Sequence, residues 1–275
     1  MPAIGDVVAR GTRSAVHSYG RDAVIKVPDR TTPDHWILAE ARYADAVHAV
    51  GAPAPRLLGV EQLDGRAASV WEWVRGPSMW QDLLDAPERA ERHGRALADL
   101  QLALFKLTPP LTLPTQRNRL RNKIRRSALM IDPDLSAAVD RLPAQRGVLR
   151  LCHGDLHPGN VLLSRDGPVA IDWFDASRGE PIADMARSSL LLRHDEEEDP
   201  LHLPGATPAV LDAFSGAYHE RMRAALDVSD DELRRWSAVE AVARMAEGVA
   251  RTGLLEVWRS DQHRTEPEAE AASGW

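Results

Sequence analysis

Residues 152–163 read CHGDLHPGNVLL, two histidines, an aspartate and an asparagine set between the apolar runs VLRL at 148–151 and VLL at 161–163. Apolar runs of that length read as short strands, so a polar cluster is being held where the chain turns inward. Buried polar groups are costly unless they bond something, which marks the cluster as a candidate site. SRDG at 164–167 is a turn sequence, and PVAID at 168–172 is a second apolar run, so the two runs form a hairpin. Folding one back on the other brings Asn160 and Asp172 out side by side at its open end, with Asp155 on the loop just before. A carboxylate and an amide oxygen are hard ligands suited to magnesium, which completes its shell with water and phosphate. A second carboxylate, Asp155, can take a proton from an attacking hydroxyl. Metal, base and phosphate are the parts of phosphoryl transfer.

Outward from this cluster, the chain divides by pattern. VVAR at 7–10, AVIKV at 23–27, LLGV at 57–60 and ASVWEWV at 68–74 read as strands, with a helix between Pro33 and Gly51 whose apolar stripe is Trp36, Ile37, Tyr43, Ala44 and Val47. RGPS at 75–78 punctuates the chain, after which helical periodicity dominates. Leu97, Leu100, Leu104 and Leu107 mark one helical face, and Leu120, Ile124, Ala128 and Ile131 another. After Asp184 come two further stripes, Val210 to Met222 and Leu233 to Ala243. The expected architecture is α+β: a β-rich lobe over 1–74, a connector at 75–78, and a larger, mainly helical lobe over 79–275 that carries the hairpin. A cleft between such lobes is a common ligand site.

Composition narrows the partners. At 275 residues the chain can bury a real core, and its single cysteine, Cys152, excludes an internal disulfide and reads as a packed thiol. A net charge of −7 argues against nucleic acid as the main partner and mildly favours cationic ligands, so the expected small-molecule partner includes cationic ones. The absence of a membrane-length apolar run or a secretion-signal pattern at the start leads us to expect a cytoplasmic protein with no membrane partner.

HGDLHPGNVLL followed by AIDWFDASRGEPIADMARS at 170–188 resembles the aminoglycoside phosphotransferase family, small-molecule kinases of the two-lobed protein-kinase-like fold. Gly154 stands where protein kinases usually carry arginine, and Asp172-Trp173-Phe174 replaces Asp-Phe-Gly, which points to small acceptors. The resemblance implies Asp155 as catalytic base, Asn160 and Asp172 as Mg2+ ligands, and His153 as a buried organiser. It further implies ATP as donor, with GTP left open, and a hydroxylated small-molecule acceptor such as an antibiotic, amino alcohol or sugar. Asp184, in Gly179-x-Pro181-x-x-Asp184, is read as bracing the catalytic loop.

The same resemblance requires a nucleotide-clamping lysine on an early strand and a glutamate on the following helix. Lys26 lies in AVIKV. Glu40 falls on the apolar stripe, where a carboxylate needs a partner, and Lys26 is the obvious one. Only Gly11 serves the phosphate-covering loop, with Ser14 as a candidate phosphate donor, while backbone groups around Glu72 and Val74 would read the purine edge.

Three stretches carry a plainer reading beside a sharper one. RNRLRNKIRR at 117–126 is read as a solvated basic helix face rather than a nucleic-acid site. Asp195, Glu196, Glu197, Glu198 and Asp199 read as a solvated acidic loop, or as the wall of a pocket for a cationic acceptor. The two histidines of the cluster invite a zinc-hydrolase reading, against which stand the hard oxygen ligands, and His157 before Pro158 is read as shaping the loop. The competing reading from another class is a non-catalytic nucleotide-binding regulator, although such proteins lose the lysine, the base or the metal aspartate, and all are present here.

Overall fold

The computed structural model describes residues 2–11, 13–144, 147–192, 205–248 and 252–265. Five strands, β1 (Ile4–Arg10), β2 (Ser14–Tyr19), β3 (Ala23–Pro28), β4 (Leu57–Leu63) and β5 (Arg66–Glu72), form an antiparallel sheet in the order β1-β2-β3-β5-β4. β3 is central, with Lys26 opposite Val16 of β2 and Ser69 of β5. β2 was not legible in sequence: SAVHSY has little apolar signal, and pairing on both sides makes it a strand.

Between β3 and β4 lies α1 (Asp34–Ala49). Its buried residues Ile37, Glu40, Ala41, Ala44 and Val47 recur at helical spacing, so Glu40 sits on the packed face. The connector leads into α2 (Met79–Asp85), whose first turn is capped by Ser78 Oγ accepting from the Gln81 N–H at 3.0 Å.

α3 (Ala90–Leu104), α4 (Gln116–Met130), α5 (Pro181–Leu191), α6 (Pro208–Ala225), α7 (Asp230–Met245) and α8 (Thr252–Thr265) form the helical part. α3 packs on α6, and α7 packs on α4, α5 and α8. Leu97, Leu104, Trp173, Phe214 and Tyr218 anchor one apolar cluster, and Ile124, Val239, Val242 and Trp258 a second. Among the described residues no helix is long and apolar enough to cross a membrane.

Four short strands hold the polar cluster. β6 (Arg150–Cys152) pairs with β9 (Ser177–Gly179), and β7 (Val161–Ser164) pairs with β8 (Gly167–Ala170) around the turn expected from SRDG. β6 starts two residues later than its apolar run because its partner ends at Gly179, which faces Arg150. The hairpin is also tied to what precedes it. The Leu163 N–H donates to the Pro77 carbonyl at 2.9 Å, and the Ala170 N–H to the Pro53 carbonyl at 2.8 Å. Gly76 lies so close that a Cβ there would stand 2.0 Å from the Leu163 carbonyl oxygen.

Candidate active site

The turn from β6 into the hairpin is built by its own polar groups. His153 Nδ1 accepts from the Asp155 N–H at 3.2 Å, and its Nε2 lies 3.1 Å from the Ile171 carbonyl, which makes it the Nε2–H tautomer. The ring packs 4.5 Å from that of Trp173. His157 Nδ1 accepts from the Gly159 N–H at 3.1 Å, so it caps the turn. Asp184 receives the His153 and Gly154 N–H groups and the Gln101 side chain at 3.2, 2.7 and 2.9 Å, which closes the loop from below. Gly154 has φ +80°, and a Cβ there would lie 2.3 Å from the Asp175 carbonyl oxygen. A side chain at 154 would force the Asp175 backbone aside.

Asn160 Nδ2 donates to the Asp155 carbonyl at 2.9 Å and to Asp155 Oδ2 at 3.2 Å, leaving its amide oxygen for another partner. The Ile171 N–H donates to the Asn160 carbonyl at 2.9 Å, so Asn160 and Asp172 leave the hairpin together. Asp172 has a partly exposed carboxylate whose Oδ1 lies 3.7 Å from Lys26 Nζ. Lys26 Nζ donates to Glu40 Oε1 at 2.6 Å. Burial alone would pull the Lys26 ammonium down, and the charges of Asp172 and Glu40 outweigh it, so the lysine is held protonated.

Two adjoining cavities meet at these residues. One, of about 330 Å³, is lined by Val24, Lys26, Trp71, Glu72, Val74 and Asp172 among others. The second, of about 260 Å³, has Asp155, Asp175, Lys123, Arg126, Arg187 and Glu247 in its walls. Gly11, Ser14, Lys26, Glu40 and Asp172 border both. Glu72 borders the first, with its Oε1 taken by the Arg56 N–H at 2.9 Å and its own N–H donating to the Arg56 carbonyl at 3.0 Å.

The second cavity holds residues that sequence reasoning missed. Arg187 of α5 is buried and donates through Nη2 to Asp155 Oδ1 at 2.8 Å and to Glu247 Oε2 at 2.9 Å. Its Nε reaches the Gly154 carbonyl at 3.2 Å. Burial would raise the Asp155 carboxyl, but the charges of Arg187 and then His157 outweigh that and hold it below its ordinary value.

Lys123 of α4 bridges Asp175 at 2.6 Å and Glu247 at 2.8 Å, and Arg119 also bonds Asp175. Despite its burial, Asp175 is held far below the carboxylate range by Lys123, Arg119 and Arg187. The basic run 117–126 is therefore not simply a solvated face: Arg119, Lys123 and Arg126 stand at i, i+4 and i+7 and turn towards the cleft. Residues 195–199, the acidic run, lie outside the described residues.

A model of the phosphotransferase enzyme family matches residues 7–244, from β1 to the end of α7. The chain belongs to that family. The resemblance read from residues 152–188 thus extends over most of this phosphotransferase-family chain. Its structure is similar to an aminoglycoside-3'-phosphotransferase of type VIII, with TM-score 0.61 and 24% identity over 88% of this chain and 93% of the other. It is also similar to a choline/ethanolamine kinase family protein from Mesorhizobium loti, with TM-score 0.59 and 13% identity over 95% and 82% of the two chains. An amicoumacin kinase in complex with AMP-PNP, Ca2+ and Ami has TM-score 0.56 and 14% identity over 94% and 88%. At these identities the likeness establishes the fold, the two-lobed kinase-like α+β fold expected from the sequence. An uncharacterized protein of Deinococcus radiodurans is 30% identical over 196 residues, which are 62% of this chain and 54% of that relative, so the match spans about half the relative's length.

Proposed function

We propose that this chain transfers the γ-phosphate of ATP, with Mg2+, to a hydroxyl of a small molecule. The observation that carries the reading is that Lys26, Asp172, Asn160 and Asp155 converge where two cavities adjoin, each held by a bond that orients it. In this reading the cavity beside Glu72 and Val74 takes the nucleotide, whose purine edge meets their backbone groups, and residues 75–78 act as the connector between lobes.

Lys26, fixed by Glu40, presents its ammonium to the phosphates, and the Ser14 hydroxyl donates to them from the covering loop. Asp155, ionised and pinned by Arg187 and Asn160, orients the acceptor hydroxyl and receives its proton. Asn160 and Asp172 offer an amide oxygen and a carboxylate, a donor pair that suits a magnesium ion sharing its shell with phosphate. When bound, the ion neutralises charge on the transferring phosphoryl group. His153 and Asp184 hold the loop.

The test is ADP release by purified protein, with and without MgCl2, against hydroxylated antibiotics, amino alcohols and sugars. Acceptor-dependent release should require magnesium and fall ~10²–10⁴-fold in Asp155→Asn. Wild-type turnover in that variant would refute the assignment, and nucleotide binding without transfer to any compound would favour the regulatory reading.

A further inference from the structure

The walls of the second cavity say what kind of acceptor it suits, an inference that rests on the phosphotransferase reading. Every carboxylate on that wall already has a cation. Glu40 and Asp172 face Lys26 at 2.6 and 3.7 Å, and Asp155 faces Arg187 at 2.8 Å. Glu247 is shared by Arg187 at 2.9 Å and Lys123 at 2.8 Å, while Asp175 is shared by Lys123 and Arg119. Two guanidiniums on the same wall have no carboxylate partner among the described residues. Arg126 reaches only the Ala246 carbonyl, at 3.5 Å, and Arg13 lies 5.2 Å from the ring of Trp36. Both line the second cavity and neither lines the one beside Glu72 and Val74; Arg126 stands on α4, on the acceptor side, while Arg13 stands at its rim in the covering loop next to Ser14.

We propose that the acceptor carries an anionic group, a carboxylate or a phosphate, which docks on the Arg126 and Arg13 wall while its hydroxyl reaches Asp155. A polycationic acceptor entering this cavity meets no uncommitted carboxylate among the described residues and two unpaired arginines. An acidic one meets planar donors matched to its oxygens. Trp36 and Phe174, whose rings lie 5.4 Å apart, give the carbon skeleton an apolar surface between the charges.

The experiment uses the full chain with its nucleotide side filled by magnesium and AMP-PNP, and follows intrinsic tryptophan fluorescence, to which Trp36 contributes. Three probes of similar size are titrated: gluconate for the carboxylate arm, glucose 6-phosphate for the phosphate arm, and glucosamine as the hydroxylated cation. Saturable binding of at least one acid, ten times tighter or more than glucosamine, is expected, and whichever acid binds tighter names the group. In Arg126→Gln and Arg13→Gln that affinity should fall at least tenfold, and in Arg126→Gln, which alters α4 and leaves the phosphate-covering loop intact, AMP-PNP affinity should change less than twofold. A probe held only by the metal ion would keep its affinity in both variants, which would overturn the proposal. Tighter glucosamine binding, or no saturable binding of either acid, would overturn it as well while leaving the phosphotransferase reading standing. Failure of the wild-type chain to bind AMP-PNP would instead remove that reading and this one together.

Discussion

Asp172 is held at φ 64° and ψ 65°, the left-handed region that a non-glycine residue enters at a cost of ~1–3 kcal/mol. The strain turns its carboxylate towards Lys26 at the point where the chain leaves the hairpin. Arg187 is the matching device on the other side, where one buried guanidinium fixes Asp155 and ties it to Glu247. Removing it leaves the carboxylate of Asp155 without its cation, while Glu247 keeps Lys123. Arg187→Met should therefore lose ~3–5 kcal/mol of stability in urea melts and lower kcat in the protein that remains folded, with nucleotide affinity unchanged. Arg187→Lys should recover more of the stability than of the kcat, because an ammonium cannot reproduce the three bonds of the guanidinium. Glu40 could be found in the sequence because it stands on an apolar stripe, where only a partnered carboxylate is tolerable. Arg187 gave a similar signal, a charge between Met185, Ala186 and Leu190, but its partners lie 32 and 60 residues away and sequence spacing does not bring them near.

At the scale of elements, α4 shows where periodicity stops informing. Its apolar stripe through Leu120 and Ile124 was visible, and it packs on α7. Periodicity does not say which flank of such a stripe meets solvent and which meets a neighbour. The flank of Arg119, Lys123 and Arg126 meets the cleft because Asp175 and Glu247 arrive there from elsewhere. β9 and α2 were missed for a simpler reason, being three and seven residues long. Residues 75–78 pack closely on the hairpin. Gly76 has φ +145° and no room for a Cβ against the Leu163 carbonyl, so Gly76→Ala should push the connector off β7. The expected loss is ~1–3 kcal/mol by thermal melt, with a raised KM for ATP because the displaced segment adjoins Val74.

For the whole molecule, the buried charges set a pH window. Glu240 is buried in α7, and burial, only partly offset by Arg187 and Lys123 and reinforced by Asp184 and Glu247, pushes its carboxyl up to about 8. A folded-state value above the unfolded one means that the stability contributed by the protonated form is complete below the ordinary glutamate range and is lost as pH rises through 8. Asp155, Asp175 and Glu247 are shifted down, so their contribution is present above the ordinary carboxylate range and lost in acid. Stability should therefore peak between ~pH 4.5 and ~pH 8. Glu240→Gln should raise Tm at pH 8.5 and change it little at pH 5, and melts at the two values check this. That a sheet region precedes a helical one was legible because the apolar pattern along the chain changes from strand-like to helical. The wall of the second cavity was not, because helices distant in sequence supply much of it and their facing sides are chosen by packing.

The ties that hold the hairpin do a second job. A two-stranded ribbon has two outer edges, and bare edges recruit further strands. Here Pro77 and Ser78 lie along β7, with Ser78 bridged to Leu162, and Pro53 lies against β8. Proline has no N–H, so at each border it accepts the ribbon's bond and offers no amide to extend the ladder. Connector and loop thus act as selvedges that keep a short sheet from fraying into aggregates.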